Sequence, residues 1–144
     1  MRSALVALAL SLALGCGPVP GGALGGAVTA APATWAEALG ADRAFCEIES
    51  RPADVHSIQL ECFLVDGQLH AQSHRWALDD WWPVESWAAI WLEHPDVRVR
   101  IGEQLFELRA VRVTDRALRE PVLKQRGYDP IPDGVVLFRL EPRT

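Results

Sequence analysis

Short segments in which apolar and polar residues alternate, joined by brief turns, constrain the fold of this chain more than any other feature. Side chains alternate between the two faces of a strand with period two, so each segment predicts a strand. The predicted strands cover 44–50, 57–65, 68–73, 97–101, 104–114 and 135–141. Asp66-Gly67 and Gly102-Glu103 are two-residue turns of the hairpin type. The sequence therefore predicts a mostly β, α+β domain: a small antiparallel barrel with hairpin connections.

One main helix is predicted between the third and fourth strands, from Pro83 to about Glu93. Proline suits the first position of a helix because its missing N–H group would have no partner there. The apolar residues of this segment recur at the spacing of one helix face. Shorter helices are predicted at 35–39 and 117–125. A β-bulge is predicted near Arg109, because the alternation of apolar and polar residues in the fifth strand shifts by one position there.

The first fifteen residues have the pattern of a signal peptide. Arg2 precedes an apolar run over residues 4–14, which is too short to span a bilayer, since a spanning helix needs about 20 residues. The run ends at Gly15-Cys16, which resembles the bacterial lipobox, where cleavage leaves a cysteine that carries lipid such as palmitate. Ordinary cleavage near Ala30 is the alternative. We expect an exported protein, anchored through Cys16 to the bacterial cell envelope at the outer membrane or the periplasmic face.

Residues 16–40 are predicted to form a flexible tether that begins at the lipidated cysteine. Five glycines and three prolines lie between residues 17 and 33, without charge or periodicity. Residues 41–144 then form a single domain. Loss of Arg2 with the signal peptide changes the formal net charge from -5 to -6. An acidic domain does not attract a polyanion, so we expect no nucleic-acid partner.

Two of the three cysteines, Cys46 and Cys62, lie in the predicted domain. If the first two strands form a hairpin centred on Asp54, these cysteines face each other on its apolar side. An oxidising compartment permits a disulfide, and we expect one here, with two buried thiols as the alternative. The polar residues assigned to the opposite face of this hairpin are Glu47, Glu49, Gln59 and Glu61.

Three motifs follow one another in the second half of the chain. They are residues 94–99 (His-Pro-Asp-Val-Arg-Val), 110–115 (Ala-Val-Arg-Val-Thr-Asp) and 137–143 (Leu-Phe-Arg-Leu-Glu-Pro-Arg). Together with the upstream Asp66-Gly67 turn, they resemble the FMN- or deazaflavin-binding split β-barrel family, particularly its deazaflavin-dependent nitroreductase-like branch. The resemblance covers about residues 45–143 and implies a six-stranded antiparallel split β-barrel with one main helix. It also implies a cofactor that lies along the barrel, usually at the interface of a homodimer.

The sequence departs from this family where the phosphate of the cofactor would be held. The basic glycine loop of the family is replaced by a turn whose single arginine is Arg51, and the glycines after the third strand by His74-Arg75, which leaves Ser73 matched. A loop poor in glycine does not bring backbone N–H groups close to a phosphate, so we expect that no flavin is retained. The candidate residues for FMN, a deazaflavin or a small aromatic ligand are Arg51, Ser73, Arg75, Trp76, Trp81 and Trp82.

Tryptophan and histidine side chains are the remaining candidates for chemistry. Trp87 and Trp91 lie on the apolar stripe of the main helix and are expected in the core. The tryptophans within residues 76–82 lie in an irregular stretch, where a stacking platform and a packed position are equally open. His70 and His74 share one face of the third strand, but they lack a third ligand, so we expect no metal site.

Two functions from different classes are compatible with these features. The lost glycines and the predicted export favour a non-catalytic binding or interaction protein of the cell envelope. The aromatic stretch favours the alternative, a flavin- or deazaflavin-dependent oxidoreductase of the nitroreductase-like kind. The sequence contains no nucleophile motif that would assign a catalytic residue.

Overall fold

A computed structural model describes residues 21–50, 53–78 and 86–144. The predicted signal peptide and Cys16 lie outside these ranges. The helices are α1 (Trp35–Leu39), α2 (Trp87–Glu93) and α3 (Arg116–Gln125). The strands are β1 (Arg43–Ser50), β2 (His56–Val65), β3 (Gln68–Gln72), β4 (Asp96–Ile101), β5 (Gln104–Arg112) and β6 (Leu137–Pro142). Within the described ranges, every helix is too short or too polar to cross a membrane.

The six strands close into an antiparallel barrel in the order β1-β2-β3-β6-β5-β4, and β4 pairs again with β1. The predicted six-stranded, mostly β fold is confirmed. Because all neighbours are antiparallel, β1, β3 and β5 end where β2, β4 and β6 begin. This is the α2 end of the barrel, since the indole N–H of Trp91 in α2 donates to the hydroxyl of Ser50, the last residue of β1, at 2.8 Å. The opposite end, where β1 begins after α1, is the α1 end.

The inward side chains of the strands form one hydrophobic cluster, with a tryptophan near each end. Trp91 is fully buried and lies 5.3 Å from Phe138 between ring centroids. Trp35 of α1 packs edge-on against Phe106, also at 5.3 Å. Trp87 is partly buried against the same cluster, 4.4 Å from Trp91. The predicted core position is therefore confirmed for Trp91, and Trp87 packs at the edge of the same cluster.

A second hydrophobic layer lies outside the barrel, where α3 and the segment after it cover β2, β3 and β6. Leu123 of α3 is fully buried there, together with Phe63 and Val113. This cover explains why apolar residues continue on the outer face at the end of β5. The predicted bulge near Arg109 is wrong, because the pairing of β5 with β6 is continuous over residues 108–112.

The first hairpin is shifted by two residues from the predicted register. Cys46 pairs with Leu60 and Ala44 pairs with Cys62, whereas the prediction placed the two cysteines directly opposite each other. A shift of two keeps each side chain on its face of the sheet, because side chains alternate with period two. The cysteines therefore remain diagonal neighbours with a Cα–Cα distance of 6.1 Å, and they form a disulfide. The predicted disulfide is confirmed and its register is corrected.

Residues 21–33 lie along the outside of the barrel, and we call them the N-terminal strap. Gly21 and Ser57 exchange two backbone hydrogen bonds, of 2.7 and 2.9 Å, at the α2 end. The N–H of Thr29 donates to the carbonyl of Leu105 at 2.7 Å near the α1 end. The strap thus runs along the barrel from one end to the other, held mainly through its backbone.

The packed part of the chain begins upstream of the predicted domain boundary at residue 41. Leu24 of the strap is buried, and Trp35 and Leu39 of α1 belong to the interior cluster. Residues 21–40, predicted as part of the tether, therefore lie against the barrel. The strap also changes the surroundings of Glu49, which was predicted on the face opposite the apolar side of the first hairpin. Its side chain does point outward, but it is fully buried and accepts a hydrogen bond from the N–H of Leu24.

Helix α2 begins at Trp87, so the predicted start at Pro83 is wrong; Pro83 itself lies outside the described residues. Ser86 has extended backbone dihedrals, and its hydroxyl accepts a hydrogen bond from the N–H of Ala89 at 3.2 Å. A serine that caps the free N–H groups of the first turn is a strong start signal for a helix.

Candidate functional site

The candidate residues in the described part of the chain follow β3 at the α2 end of the barrel. These are Ser73, Arg75 and Trp76. The other three candidates are Arg51, Trp81 and Trp82, and they lie outside the described residues. A site formed by all six residues therefore stays a prediction.

Ser73 is buried and its hydroxyl fastens β3 to the segment before β6. The hydroxyl accepts a hydrogen bond from the N–H of Val136 at 2.8 Å and lies within donor reach of two carbonyls, those of His74 at 3.0 Å and Gly134 at 3.4 Å. The backbone N–H of Ser73 donates to the carbonyl of Val136. A serine with these partners is part of the scaffold, and its hydroxyl is turned away from any ligand on the surface.

Trp76 and Arg75 form an exposed cluster with His74. The side chain of Trp76 is 52% exposed, and the guanidinium carbon of Arg75 lies 6.0 Å from its ring centroid. The backbone N–H of Trp76 donates to Nδ1 of His74 at 3.1 Å. The hydroxyl of Ser86 donates to the carbonyl of Ala77, which ties this turn to the start of α2. Arg75 and Trp76 thus lie together on the surface.

A different concave surface, which the sequence did not predict, lies where the end of α3 crosses β2. Its centre is Arg126, whose guanidinium lies 3.9 Å above the ring of Phe63. Nη2 of Arg126 donates to Glu61 at 2.7 Å, and Nε donates to the amide oxygen of Gln72. The amide of Gln72 in turn donates to the hydroxyl of Tyr128 at 3.2 Å. Stacking and two polar partners hold the guanidinium in one orientation.

This groove has a volume of about 530 Å³ and carries charges of both signs. Its lining residues are Asp42, Arg43, Glu61, Phe63, Leu64, Val65, Val122, Gln125, Arg126 and Gly127. A second groove of about 310 Å³ lies on the other side of α3 and shares Val65, Val122 and Gln125 with the first. No local pattern could have revealed this surface, because Arg126 and Glu61 are 65 residues apart in sequence.

His70 lines the second groove and is almost completely buried beneath α3. Its ring stacks on Phe63 with centroids 6.0 Å apart, and Nδ1 is 2.9 Å from the carbonyl of Gln68. Burial lowers the pKa of His70, because the charged imidazolium loses its hydration, and nearby Arg139 lowers it further. The neutral ring is therefore the form that the folded protein favours.

The polar side chains of β3 contact protein groups, and these contacts do not form the ligand set of a metal site. Nδ1 of His70 faces the carbonyl of Gln68, and Gln72 is bonded to Arg126. His74 lies beyond the strand and accepts the N–H of Trp76. Among the described residues, no group of three His, Cys, Asp or Glu side chains is arranged to hold a metal ion.

Comparisons with known proteins bear on the fold. No protein-family model matches the sequence, and no curated protein matches it either. A crystal structure from Listeria innocua, of a protein provisionally described as a pyridoxamine 5'-phosphate oxidase, is similar with a TM-score of 0.51. The two chains are 18% identical, and the similarity covers 69% of this chain and 84% of that one. At this identity the similarity shows a shared split-barrel fold.

The described candidate residues Ser73, Arg75 and Trp76 do not by themselves form a phosphate site. Ser73, the residue matched to the family, directs its hydroxyl to backbone groups rather than to a ligand. Arg75 is an exposed cation, and the described part of the first turn, residues 53–55, contains no glycine. A phosphate needs several convergent donors or a cradle of backbone N–H groups. The exposed ring of Trp76 can stack on an aromatic ligand, but it supplies no recognition of a phosphate.

Proposed function

We propose that the protein is exported, is anchored by lipid on Cys16, and acts as a non-catalytic binding or interaction protein of the bacterial cell envelope. The observation that carries the proposal is the Cys46–Cys62 disulfide, which links two side chains that are 2% and 0% exposed in the barrel. Disulfides persist in oxidising compartments and are rare in the reduced cytosol. The disulfide therefore supports the export that the N-terminal sequence predicts.

The non-catalytic role is supported by the use of polar side chains in the scaffold. In the described part of the chain, the hydroxyls of Ser57, Ser73 and Ser86 contact backbone carbonyls. The groove at Arg126 presents charges of both signs beside the apolar Val65 and Val122. This combination suits a small or extended polar ligand that carries both charges, and we assign the binding role to this groove.

Membrane fractionation of cells that express wild-type protein and the Cys16→Ser variant tests the anchor. We expect wild-type protein in the membrane fraction and the variant in the soluble fraction, with the mature wild-type N-terminus at a lipid-modified Cys16. Ser11→Ala, a substitution inside the predicted signal peptide, is the matched control and should leave the protein in the membrane fraction. A mature N-terminus near Ala31, or a membrane-bound Cys16→Ser variant, would contradict the proposal.

The alternative is a flavin- or deazaflavin-dependent oxidoreductase of the nitroreductase-like kind, working as a homodimer. The observations that favour it are the split-barrel fold shared with the Listeria innocua protein and the exposed pair of Trp76 and Arg75. In this alternative a flavin ring stacks on Trp76, whereas the first proposal places a polar ligand in the groove at Arg126. The two proposals also differ in whether the phosphate of a flavin is bound.

A further inference from the structure

The N-terminal strap fixes the point at which the chain joins the barrel. Besides the two backbone bonds between Gly21 and Ser57, the hydroxyl of Ser57 donates to the carbonyl of Gly22 at 2.8 Å. Ser57 is the second residue of β2, which begins at the α2 end. The chain upstream of Gly21 therefore leaves the domain from the α2 end.

The following step rests on the proposed function, in which Cys16 carries the lipid. Cys16 and Gly21 are five residues apart, and an extended chain covers at most about 3.5 Å per residue, or roughly 18 Å in total. This limit is shorter than β2, whose ten residues span about 33 Å. The lipid therefore holds the α2 end of the barrel close to the bilayer surface, and the α1 end lies farther away.

The α2 end carries apolar side chains that suit a lipid interface. Trp76 is 52% exposed, and Leu92 of α2 is 38% exposed. Arg75 and His74 are exposed next to Trp76. Tryptophan concentrates at the headgroup level, because its ring is apolar and its indole N–H stays hydrated, and arginine can extend its guanidinium to the phosphates.

Long-range electrostatic attraction does not account for contact with a bilayer, since the whole chain has a formal net charge of -5. The bilayer surface that suits the α2 end is therefore one of zwitterionic headgroups. A contact of a few side chains is weak on its own, but the anchor makes it intramolecular, and the resulting effective concentration is in the millimolar range for a short linker.

We propose that the α2 end of the barrel rests on the lipid surface, with Trp76 and Leu92 at the headgroup level. The groove at Arg126 includes Asp42, Arg43 and Val65, which lie toward the α1 end. The groove therefore lies on the side of the barrel, toward the end that is farther from the membrane, and stays accessible to a ligand in the surrounding compartment.

Quenching of tryptophan fluorescence by brominated acyl chains tests this orientation. The mature lipidated full chain is reconstituted into phosphatidylcholine vesicles with and without bromine on the lipid. We expect quenching in the wild type and a clear fall in the quenched fraction in Trp76→Ala. Because Trp76 is exposed, the variant should keep the circular dichroism and thermal unfolding of the wild type.

A matched control places a tryptophan at the other end of the barrel. Phe45 lies near the start of β1 and is 70% exposed, so Phe45→Trp should add emission that the brominated lipid does not quench. A quenched fraction in Trp76→Ala equal to that of the wild type would overturn the orientation. The same conclusion would follow if brominated lipid quenched the tryptophan of Phe45→Trp as strongly as it quenches Trp76.

Two further outcomes separate the causes of failure. A mature chain without lipid on Cys16, measured by intact mass, would overturn both the proposed anchor and the orientation. A lipidated chain whose Trp76 emission is quenched by dissolved riboflavin but not by brominated lipid would overturn the orientation alone. That result would assign Trp76 to a soluble aromatic ligand.

Discussion

His70 is a titratable residue in a mostly apolar setting, between the ring of Phe63 and helix α3. The polar groups near it are the carbonyl of Gln68, the carboxylate of Asp66 and the guanidinium of Arg139. Loss of hydration is the largest effect and lowers its pKa below the ordinary value of 6.5. The unfolded chain consequently binds a proton at this residue more tightly than the folded protein does.

This difference predicts how stability changes with pH. Above the ordinary pKa of 6.5 the ring is neutral in both states, and the folded protein has its full stability. As the pH falls from there through the lowered pKa of the folded state, protonation of the unfolded chain removes part of that stability. Urea unfolding between about pH 5 and 8 should show this loss in the wild type and a smaller loss in His70→Gln. The exposed His94 gives a matched control: His94→Gln should retain the wild-type pH dependence, and an unchanged slope in His70→Gln would contradict the assignment.

At the level of elements, the N-terminal strap is held by backbone hydrogen bonds and by one buried apolar side chain. Leu24 is 6% exposed, whereas Val28 of the same segment is 50% exposed. Truncation of a buried leucine to alanine costs about 2–5 kcal/mol, and an exposed position costs much less. We expect Leu24→Ala to lower the free energy of unfolding by about 2 kcal/mol, at the low end because the site is near the surface. Val28→Ala is the control, with an expected change below about 0.5 kcal/mol. Equal, negligible effects of the two substitutions in urea unfolding would indicate that the strap does not pack in solution.

The disulfide is the covalent link between β1 and β2. It joins residues separated by 16 positions, and in the chain-entropy model closure of a loop of about 15 residues stabilises the folded state by about 3 kcal/mol. Cys46→Ala together with Cys62→Ala should therefore lower the free energy of unfolding by about 3 kcal/mol. In the unreduced soluble domain, denatured and treated with an alkylating reagent, intact mass should show no modified cysteine at these positions. Two modified thiols without prior reduction would contradict the disulfide.

The first hairpin also shows what the sequence can and cannot specify. Period-two alternation assigned Cys46, Ile48 and Cys62 to the inner face correctly. It could not choose between registers that differ by two residues, because both place the same side chains inside. The strap has no periodicity to detect, since its bonds to Ser57 and Leu105 are made by backbone groups. A glycine-rich sequence is compatible with a flexible tether and with a segment fixed in this way.

For the whole molecule, the strands and their hairpin pairs follow from local patterns, but the pairings of β3 with β6 and of β1 with β4 do not, and neither does the groove. Hairpin turns and alternation define neighbouring strands, and closure of the sheet follows from burying the inner face. The groove depends on where α3 packs on the outer face, and on the contact of Arg126 with Glu61 across 65 residues. The candidate site was predicted from a family resemblance, and the structure shows that its matched residue, Ser73, has a role in the scaffold.

The whole molecule also determines what an aromatic ligand could gain from binding. The interior of the barrel is occupied by a packed hydrophobic cluster with Trp91 and Trp35 near its ends. A ligand must therefore bind on the outside. In the described part of the α2 end, the ring of Trp76 and the cation of Arg75 are exposed. The ring of Trp76 and the single cation of Arg75 do not supply the several convergent donors that hold a phosphate tightly.

Comparison of FMN with riboflavin tests this argument, because the two molecules differ by one phosphate. We expect the soluble Cys16→Ser protein to purify without the visible absorbance of a flavin. Titration with either compound should quench tryptophan fluorescence weakly and with similar affinity, since stacking on an exposed ring contributes about 1 kcal/mol and the phosphate adds little. Trp76→Ala should reduce the quenching by both compounds to the same extent. A yellow protein with stoichiometric flavin, or FMN bound more than about tenfold more tightly than riboflavin, equivalent to about 1.4 kcal/mol, would contradict the prediction and favour the oxidoreductase.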